Sequence, residues 1–416
     1  MDPVRTPRPG TTTWQPGEVR DSAGGLVALG LASFVAVTTE LVPVGLLPLI
    51  SDDLAVSEAV AGLLVTAYAF MVAALALPLT SATRRLPRKA LLLGTIAVYT
   101  VSSVLVALAP TFAVVAVARA LGGVAHAVFF SVSIGYGARL VRPQLAGRAL
   151  GLITLGASGG FVLGVPLTTS LGTATGWRTA FLVLAGVCAL AGVLAALLLP
   201  SVAGADAPPA DTTRGTRRAA LATVTAANGL TYLGHYMVYT YVAVLFLAAG
   251  LTTAALGPVM LGIGVLGLVG VAYATARLDV RPRQTTVVVL CAIGGGILAV
   301  ALLFPGIAGT LAAAAVWSIG FGASGAIFQT AAIRTHGASP DVIGALVNTT
   351  SNIGIGGGAA LGALALDRAG LAAVPYGGAV IVLAALGTVL LAHRAFPATV
   401  TQPTSPPEQA TTASRT

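Results

Sequence analysis

Residues 23 to 50 read AGGLVALGLASFVAVTTELVPVGLLPLI, an apolar run whose one ionisable residue is Glu40. At a helical rise of about 1.5 Å per residue, such a run crosses about 30 Å of hydrocarbon. Eleven more stretches of this kind follow, at about 58–82, 89–109, 112–137, 145–171, 179–200, 219–249, 253–276, 285–304, 307–332, 341–365 and 371–395. Each is too long for a barrel strand, and lipid offers nothing to an unpaired backbone group, so the stretches are expected to be helices. The composition agrees, since 8% charged residues, 56% apolar residues and a mean hydropathy of +0.93 lie far from soluble domains.

The arginines set the orientation. Arg84, Arg85, Arg88 and Lys89 follow the second stretch and Arg139, Arg142 and Arg148 the fourth; Arg214, Arg217 and Arg218 follow the sixth, Arg277, Arg281 and Arg283 the eighth, and Arg334 the tenth. All fall on one side. The other side has Asp52, Asp53 and Glu58, with Arg178 and Arg368 as its cations, so the excess of positive charge places both termini in the cytoplasm. The net charge of +9 is thus a topology signal, and nucleic-acid binding is not expected.

Residues 1–22 are polar and read as a cytoplasmic tail, and with no small-residue cleavage site after the first apolar run that run is expected to stay as an anchor. Residues 397–416 read as a disordered tail. Cys188 and Cys291 are isolated within apolar helices and suit packing. One lysine among many arginines hints at a G+C-rich bacterial genome, so the expected site is a bacterial plasma membrane.

Residues 201–218 form the one long polar break and divide the chain into a bundle at 23–200 and another at 219–396. A shift of 197 positions, as from 84 to 281, superposes Arg84 on Arg281, Gly123 on Gly320, Pro143 on Pro340, Gly147 on Gly344 and Gly160 on Gly357. The expected fold is therefore an all-α membrane protein of twelve transmembrane helices in two pseudo-symmetric six-helix bundles. Such bundles expose a central site to each side in turn by rocking.

From Ala23 to Phe396 the chain resembles the major facilitator superfamily. Thr38-Thr39-Glu40-Leu41-Val42-Pro43 through Pro48, and Arg119-Ala120-Leu121-Gly122-Gly123-Val124-Ala125-His126, look like the arabinose-efflux and chloramphenicol-resistance branch of its twelve-span drug:proton antiporters. Gly156, Gly160 and Gly164 with Pro166 resemble the antiporter motif, and Gly176-Trp177-Arg178 the turn after it. The signature loop between the second and third helices departs from the family pattern. It has Leu79 and Thr83 in place of a glycine and an aspartate while keeping Arg84 and Arg88, whereas the second half retains Arg277, Asp279, Arg281 and Arg283. Cytoplasmic gating by Arg84, Arg88, Asp279 and Arg281 is what the resemblance implies, with the weight on Asp279.

Glu40 and Arg119 carry the expected chemistry. Glu40 lies roughly 15 Å from the external end of its helix and Arg119 roughly 10 to 14 Å in from the same face. Burial favours the protonated form of a carboxyl group and a nearby cation the ionised form, a balance that suits a proton carrier. The plainer alternative is an ion pair that fixes helix register. The repeat places Met237 opposite Glu40 and Val316 opposite Arg119, so the charges belong to one half.

Asn228, Tyr232, His235 and Tyr239 share one helical face, with Tyr236 beside them. His235 is a second proton-coupling candidate, although a neutral histidine with one hydrogen bond would also fit. Trp317, Phe321 and Phe328, with Asn348 and Asn352, are the expected opposite wall of a substrate cavity, and Tyr68 and His126 are further candidates. Aromatic faces bind flat apolar or cationic compounds and amides orient them; simple helix packing explains any one of these residues about as well. The glycines at 156, 160 and 164, and those at 354, 358 and 362, are expected to let helices approach closely.

These readings point to a secondary transporter that exports small amphipathic compounds in exchange for protons, with no cofactor beyond the proton gradient. The expected partners are a small-molecule substrate, protons and the bilayer, and the expected state is a monomer. Sugar or nucleoside export, or proton-linked import, would use the same fold. No phosphate-binding loop or metal-ligand cluster is recognisable. An intramembrane serine hydrolase is a remote alternative, because Gly156-Ala157-Ser158-Gly159 spells a short nucleophile string, but no histidine is placed beside it by spacing.

Overall fold

The computed structural model describes residues 22–83, 85–201, 215–338 and 340–397. Arg84, most of the linker at 201–218 and nearly all of both tails lie outside the described residues. The described chain is helical: α1 Ala23–Asp53, α2 Glu58–Ala82, α3 Arg88–Leu108, α4 Phe112–Leu140, α5 Ala146–Gly159, α6 Val165–Thr175, α7 Trp177–Leu198, α8 Gly215–Tyr239, α9 Val242–Ala248, α10 Thr253–Arg277, α11 Pro282–Leu303, α12 Ile307–Gly322, α13 Ser324–Arg334, α14 Pro340–Ala369 and α15 Ala373–Leu391. Among the described residues, eleven helical segments are long and apolar enough to cross a membrane, counting α5–α6, α8–α9 and α12–α13 as one each. The helix α14 is not among them, because its run of Asn, Thr, Ser and Gly residues makes it less apolar.

Local chemistry explains the interruptions. Pro166 has no N–H for the carbonyl four residues back, and the turn before it widens to a π turn over Gly160–Gly164 that absorbs the mismatch. The α8–α9 break at Thr240–Tyr241 is held by Tyr241, whose hydroxyl donates to the Ala359 carbonyl of α14 at 3.0 Å.

The same packing recurs in both halves. Gly156, Gly160 and Gly164 press α5 and the π turn onto α1, and a Cβ at Gly156 would lie 2.0 Å from the Gly30 carbonyl oxygen. In the second half α14 packs on α8 in the same way, with a Cβ at Gly358 falling 2.4 Å from the Leu233 carbonyl oxygen. One apolar core is confined to the first half. The other belongs mainly to the second half and recruits from the first Val37, Leu41, Val44, Leu47, Ala59, Ala61, Val65, Ala69 and Val165.

Most of those recruits lie in the halves of α1 and α2 nearest Asp53 and Glu58, with Val37 and Val165 near mid-span. Direct contacts between the halves follow the same rule: Thr66 donates to the Gly356 carbonyl at 3.0 Å, Gly62 abuts Tyr241, and Gly257 abuts Ser170. The seam is therefore tight toward the Asp53 end, while α2 beyond Phe70 becomes more exposed toward the arginine-rich end.

Candidate functional site

Glu40 lies within α1, 6% exposed, with its Oε1 lacking any hydrogen-bond partner and its Oε2 3.6 Å from Nε2 of His126. Arg119 is 1% exposed and comes to the same place, but its guanidinium does not bond the carboxylate. It forks onto backbone instead, NH1 donating to the Thr39 carbonyl and NH2 to the Glu40 carbonyl at 2.6 Å. The cause lies in α1: Pro43 has no N–H to offer the Thr39 carbonyl four residues back, and Arg119 supplies the missing donor.

The guanidinium also sits 4.3 Å over the ring of Tyr68, and the Tyr68 hydroxyl is 2.9 Å from Nδ1 of His126. Tyr99 and Phe130 each pair with the imidazole in a T-shaped arrangement. His126 and Tyr68, expected as cavity lining, are thus buried partners in the Glu40 cluster. Sequence reasoning missed that role for His126 and did not single out Tyr99. Residues 119 and 126 are two helical turns apart and share a face, which is a usable signal; nothing comparable marks Tyr99. Glu40 also lies on the side of the other half, since Val37 and Val44, three residues before it and four after it on the same face of α1, pack into the core shared with that half.

The second-half aromatics form a separate cluster around His235. Phe321 stacks on the imidazole with centroids 3.3 Å apart and planes within 4°, and Tyr239 stacks nearby at 5.0 Å. Trp317 donates its indole N–H to Nδ1 of His235 at 2.9 Å. An imidazole nitrogen that accepts a hydrogen bond is unprotonated, so this arrangement is that of a neutral ring. Tyr232 and Tyr236 stack on each other at 6.1 Å, and Tyr232 meets Phe321 edge-on.

The amides lie on the α8–α14 contact. Asn228 Nδ2 faces the Val347 carbonyl at 3.1 Å, Thr350 Oγ1 at 3.0 Å and Ser351 Oγ at 2.9 Å, while Asn352 donates to the Asn348 carbonyl at 3.1 Å. Phe328 is buried in α13, outside the aromatic cluster. A cleft of about 410 Å³ opens between α2 and α14, and of the expected cavity residues it takes Asn352, alongside Thr66, Phe70, Ile353 and Gly356.

Of the expected gating residues, Arg88 opens α3 near Arg139, and Arg281 reaches Gln284 at 3.3 Å. Asp279 accepts from Arg334 at 2.6 Å, an ion pair within the second half, and Arg334 also donates to the Leu278 carbonyl at 3.1 Å. Pro166 is buried at the start of α6.

Repeated helical halves meeting at a one-ended seam, with a buried acid facing across it, define a membrane transporter. The comparisons agree: residues 29–356 match the model of the Major Facilitator Superfamily, and the chain belongs to that family. A chloramphenicol efflux pump of Mycobacterium tuberculosis is 33% identical over 377 residues, covering 88% of this chain and 90% of that protein. A Mannheimia succiniciproducens protein named "Probable sugar efflux transporter" is 31% identical over 361 residues, covering 86% and 90%. In fold, the chain matches a bacterial homolog of the human lysosomal transporter Spinster, crystallised inward-facing and unoccupied, with a TM-score of 0.72 at 15% identity over 91% of this chain and 98% of that one. The chain is a transporter and not an enzyme, so the Ser158 string is not a hydrolase site.

Proposed function

We propose that the protein exports small amphipathic compounds in exchange for protons across a bacterial plasma membrane, with Glu40 as the proton carrier. The supporting observation is the Glu40 carboxyl itself, buried in α1 with one oxygen unpartnered, on the helix face whose Val37 and Val44 pack against the other half of the molecule. A buried acid without a committed cation costs too much to be a packing device. Arg119 is committed elsewhere, to the α1 backbone.

The reading takes α14 as the twelfth crossing and both termini as cytoplasmic. With its seam closed at the Asp53 end, the molecule then presents its site to the cytoplasm. Glu40 takes a proton while open to the outside, the seam closes, cargo binding from the cytoplasm favours proton release, and the loaded protein reopens outward. A ligand drives such a cycle only by binding the two arrangements unequally, which competition with the Glu40 proton provides. Proton coupling is thus assigned to Glu40, with Arg119 positioning its backbone, and His235 is left as a neutral cavity group.

The test uses inside-out proteoliposomes under an imposed pH gradient, with chloramphenicol and a panel of sugars as probes. Glu40→Gln is expected to abolish probe-induced proton release while the protein still inserts and folds. Unchanged release in that variant would remove Glu40 from the role, and uptake of sugars alone would move the cargo to the second relative's class.

A further inference from the structure

His126 touches both Glu40 and Tyr68, and the family reading gives it no task. The three groups form a line: the Glu40 carboxyl on α1, the imidazole on α4 with Nε2 3.6 Å from Oε2, and the Tyr68 hydroxyl on α2, 2.9 Å from Nδ1. His126 is 2% exposed and Tyr68 fully buried, so no bulk water competes for either nitrogen. The other titratable or charged groups around the line are Tyr99 on α3, Arg119 on α4, Cys188 on α7 beside Thr39, and Tyr232 and Tyr236 on α8. Arg119 is tied to the carbonyls of Thr39 and Glu40, which leaves His126 as the group able to exchange a proton with the carboxyl.

We propose that His126 is the proton-relay partner of Glu40, passing protons between the Glu40 carboxyl and the Tyr68 hydroxyl by changing tautomer while its ring stays neutral. A neutral imidazole has one N–H and one lone pair, and the line offers it two consistent states. With Glu40 ionised, Nε2–H points at the carboxylate and Nδ1 accepts the Tyr68 O–H. In the outward-opened arrangement, where a hydronium ion reaches the Tyr68 that is buried here, Tyr68 takes the proton on oxygen and gives its own to Nδ1, while Nε2 hands its proton to Glu40. One proton has then moved from water to the carboxyl, the ring carries Nδ1–H, and its Nε2 lone pair faces the new carboxyl O–H. The reverse sequence, run when cargo binding admits cytoplasmic water to Tyr68, empties Glu40 to that side and restores the first tautomer, so no separate reset is needed.

The proposal rests on Glu40 being the titrating acid, and its test separates the two ideas. Protein labelled with ¹⁵N-histidine and ¹³C-glutamate is placed in lipid nanodiscs and its nitrogen shifts are followed from pH 5 to 9. The His126 signals are assigned by their loss in His126→Asn or, if that variant misfolds, by removing His235, His336 and His393 from the protein. The expected result is a neutral ring throughout, with Nδ1–H at the acid end and Nε2–H at the alkaline end, crossing over as the Glu40 carboxyl titrates; Glu40→Gln should abolish the crossover. One fixed tautomer while Glu40 titrates, or an imidazolium at the acid end, overturns the relay. In transport, Tyr68→Phe should slow chloramphenicol-induced proton release about tenfold or more with KM unchanged; release at the wild-type rate also overturns it. A Glu40 carboxyl that never titrates, or proton release that persists in Glu40→Gln, instead defeats the export reading.

Discussion

Removing Arg119 should hurt the protein less once Pro43 is also gone. The structure gives Arg119 a backbone task, because Pro43 leaves the Thr39 carbonyl without its helical donor and NH1 of Arg119 fills the gap. Arg119→Met strips that donor from a buried carbonyl, and an unsatisfied buried group costs about 1–3 kcal/mol. It also removes the bond to the Glu40 carbonyl and the cation over Tyr68 at 4.3 Å, the latter worth about 0.5–2 kcal/mol. In Pro43→Ala, residue 43 regains an N–H that bonds the Thr39 carbonyl within α1. Arg119→Met in that background should still lose the second and third contributions but not the first. The double-mutant cycle should therefore show a coupling of about 1–3 kcal/mol between positions 43 and 119, measured by reversible unfolding in mixed micelles and followed by circular dichroism. Additivity within about 0.5 kcal/mol would refute the backbone role and return Arg119 to partnership with the carboxylate.

Other expectations concern packing and the loops. Gly358→Ala must push α14 off α8, since its Cβ would fall 2.4 Å from the Leu233 carbonyl oxygen; a loss of about 1–3 kcal/mol is expected in the same unfolding assay. Gly295→Ala, with open space around it, should cost nothing. Asp279→Ala removes an ion pair whose acid side chain is 87% exposed, so its stability change should stay below about 1 kcal/mol; a larger loss would mean the Arg334 contact is more than a surface bridge.

Much of the scaffold was legible because lipid leaves few solutions. Helices were forced by runs such as 23–50, and the repeat showed itself in the offset that pairs Gly160 with Gly357, both of which the structure sets against the first helix of their own half. Glu40 was legible for the same reason: one charge in an apolar run is conspicuous. What the acid touches was not. Matching depths brought Arg119 to Glu40, but depth cannot distinguish carboxylate from backbone, and the distinction came from a proline four residues beyond Thr39. The aromatic face of α8 was visible in its spacing, whereas the stacking of His235 on Phe321 depends on how α12 crosses α8, a tertiary fact without a local signature. The break in α12–α13 likewise lacks a proline to announce it.

The tight end of the seam has a consequence for how the protein could be held still. At Gly62 even a methyl group would stand 2.2 Å from the Tyr241 hydroxyl, so this arrangement exists only while that position stays bare. A bulky residue there acts as a wedge, penalising one geometry and leaving its counterpart untouched, and a few kcal/mol of such bias turns a mixed population into a nearly pure one. The molecule thus carries, in one absent side chain, the means by which its opposite face could be captured.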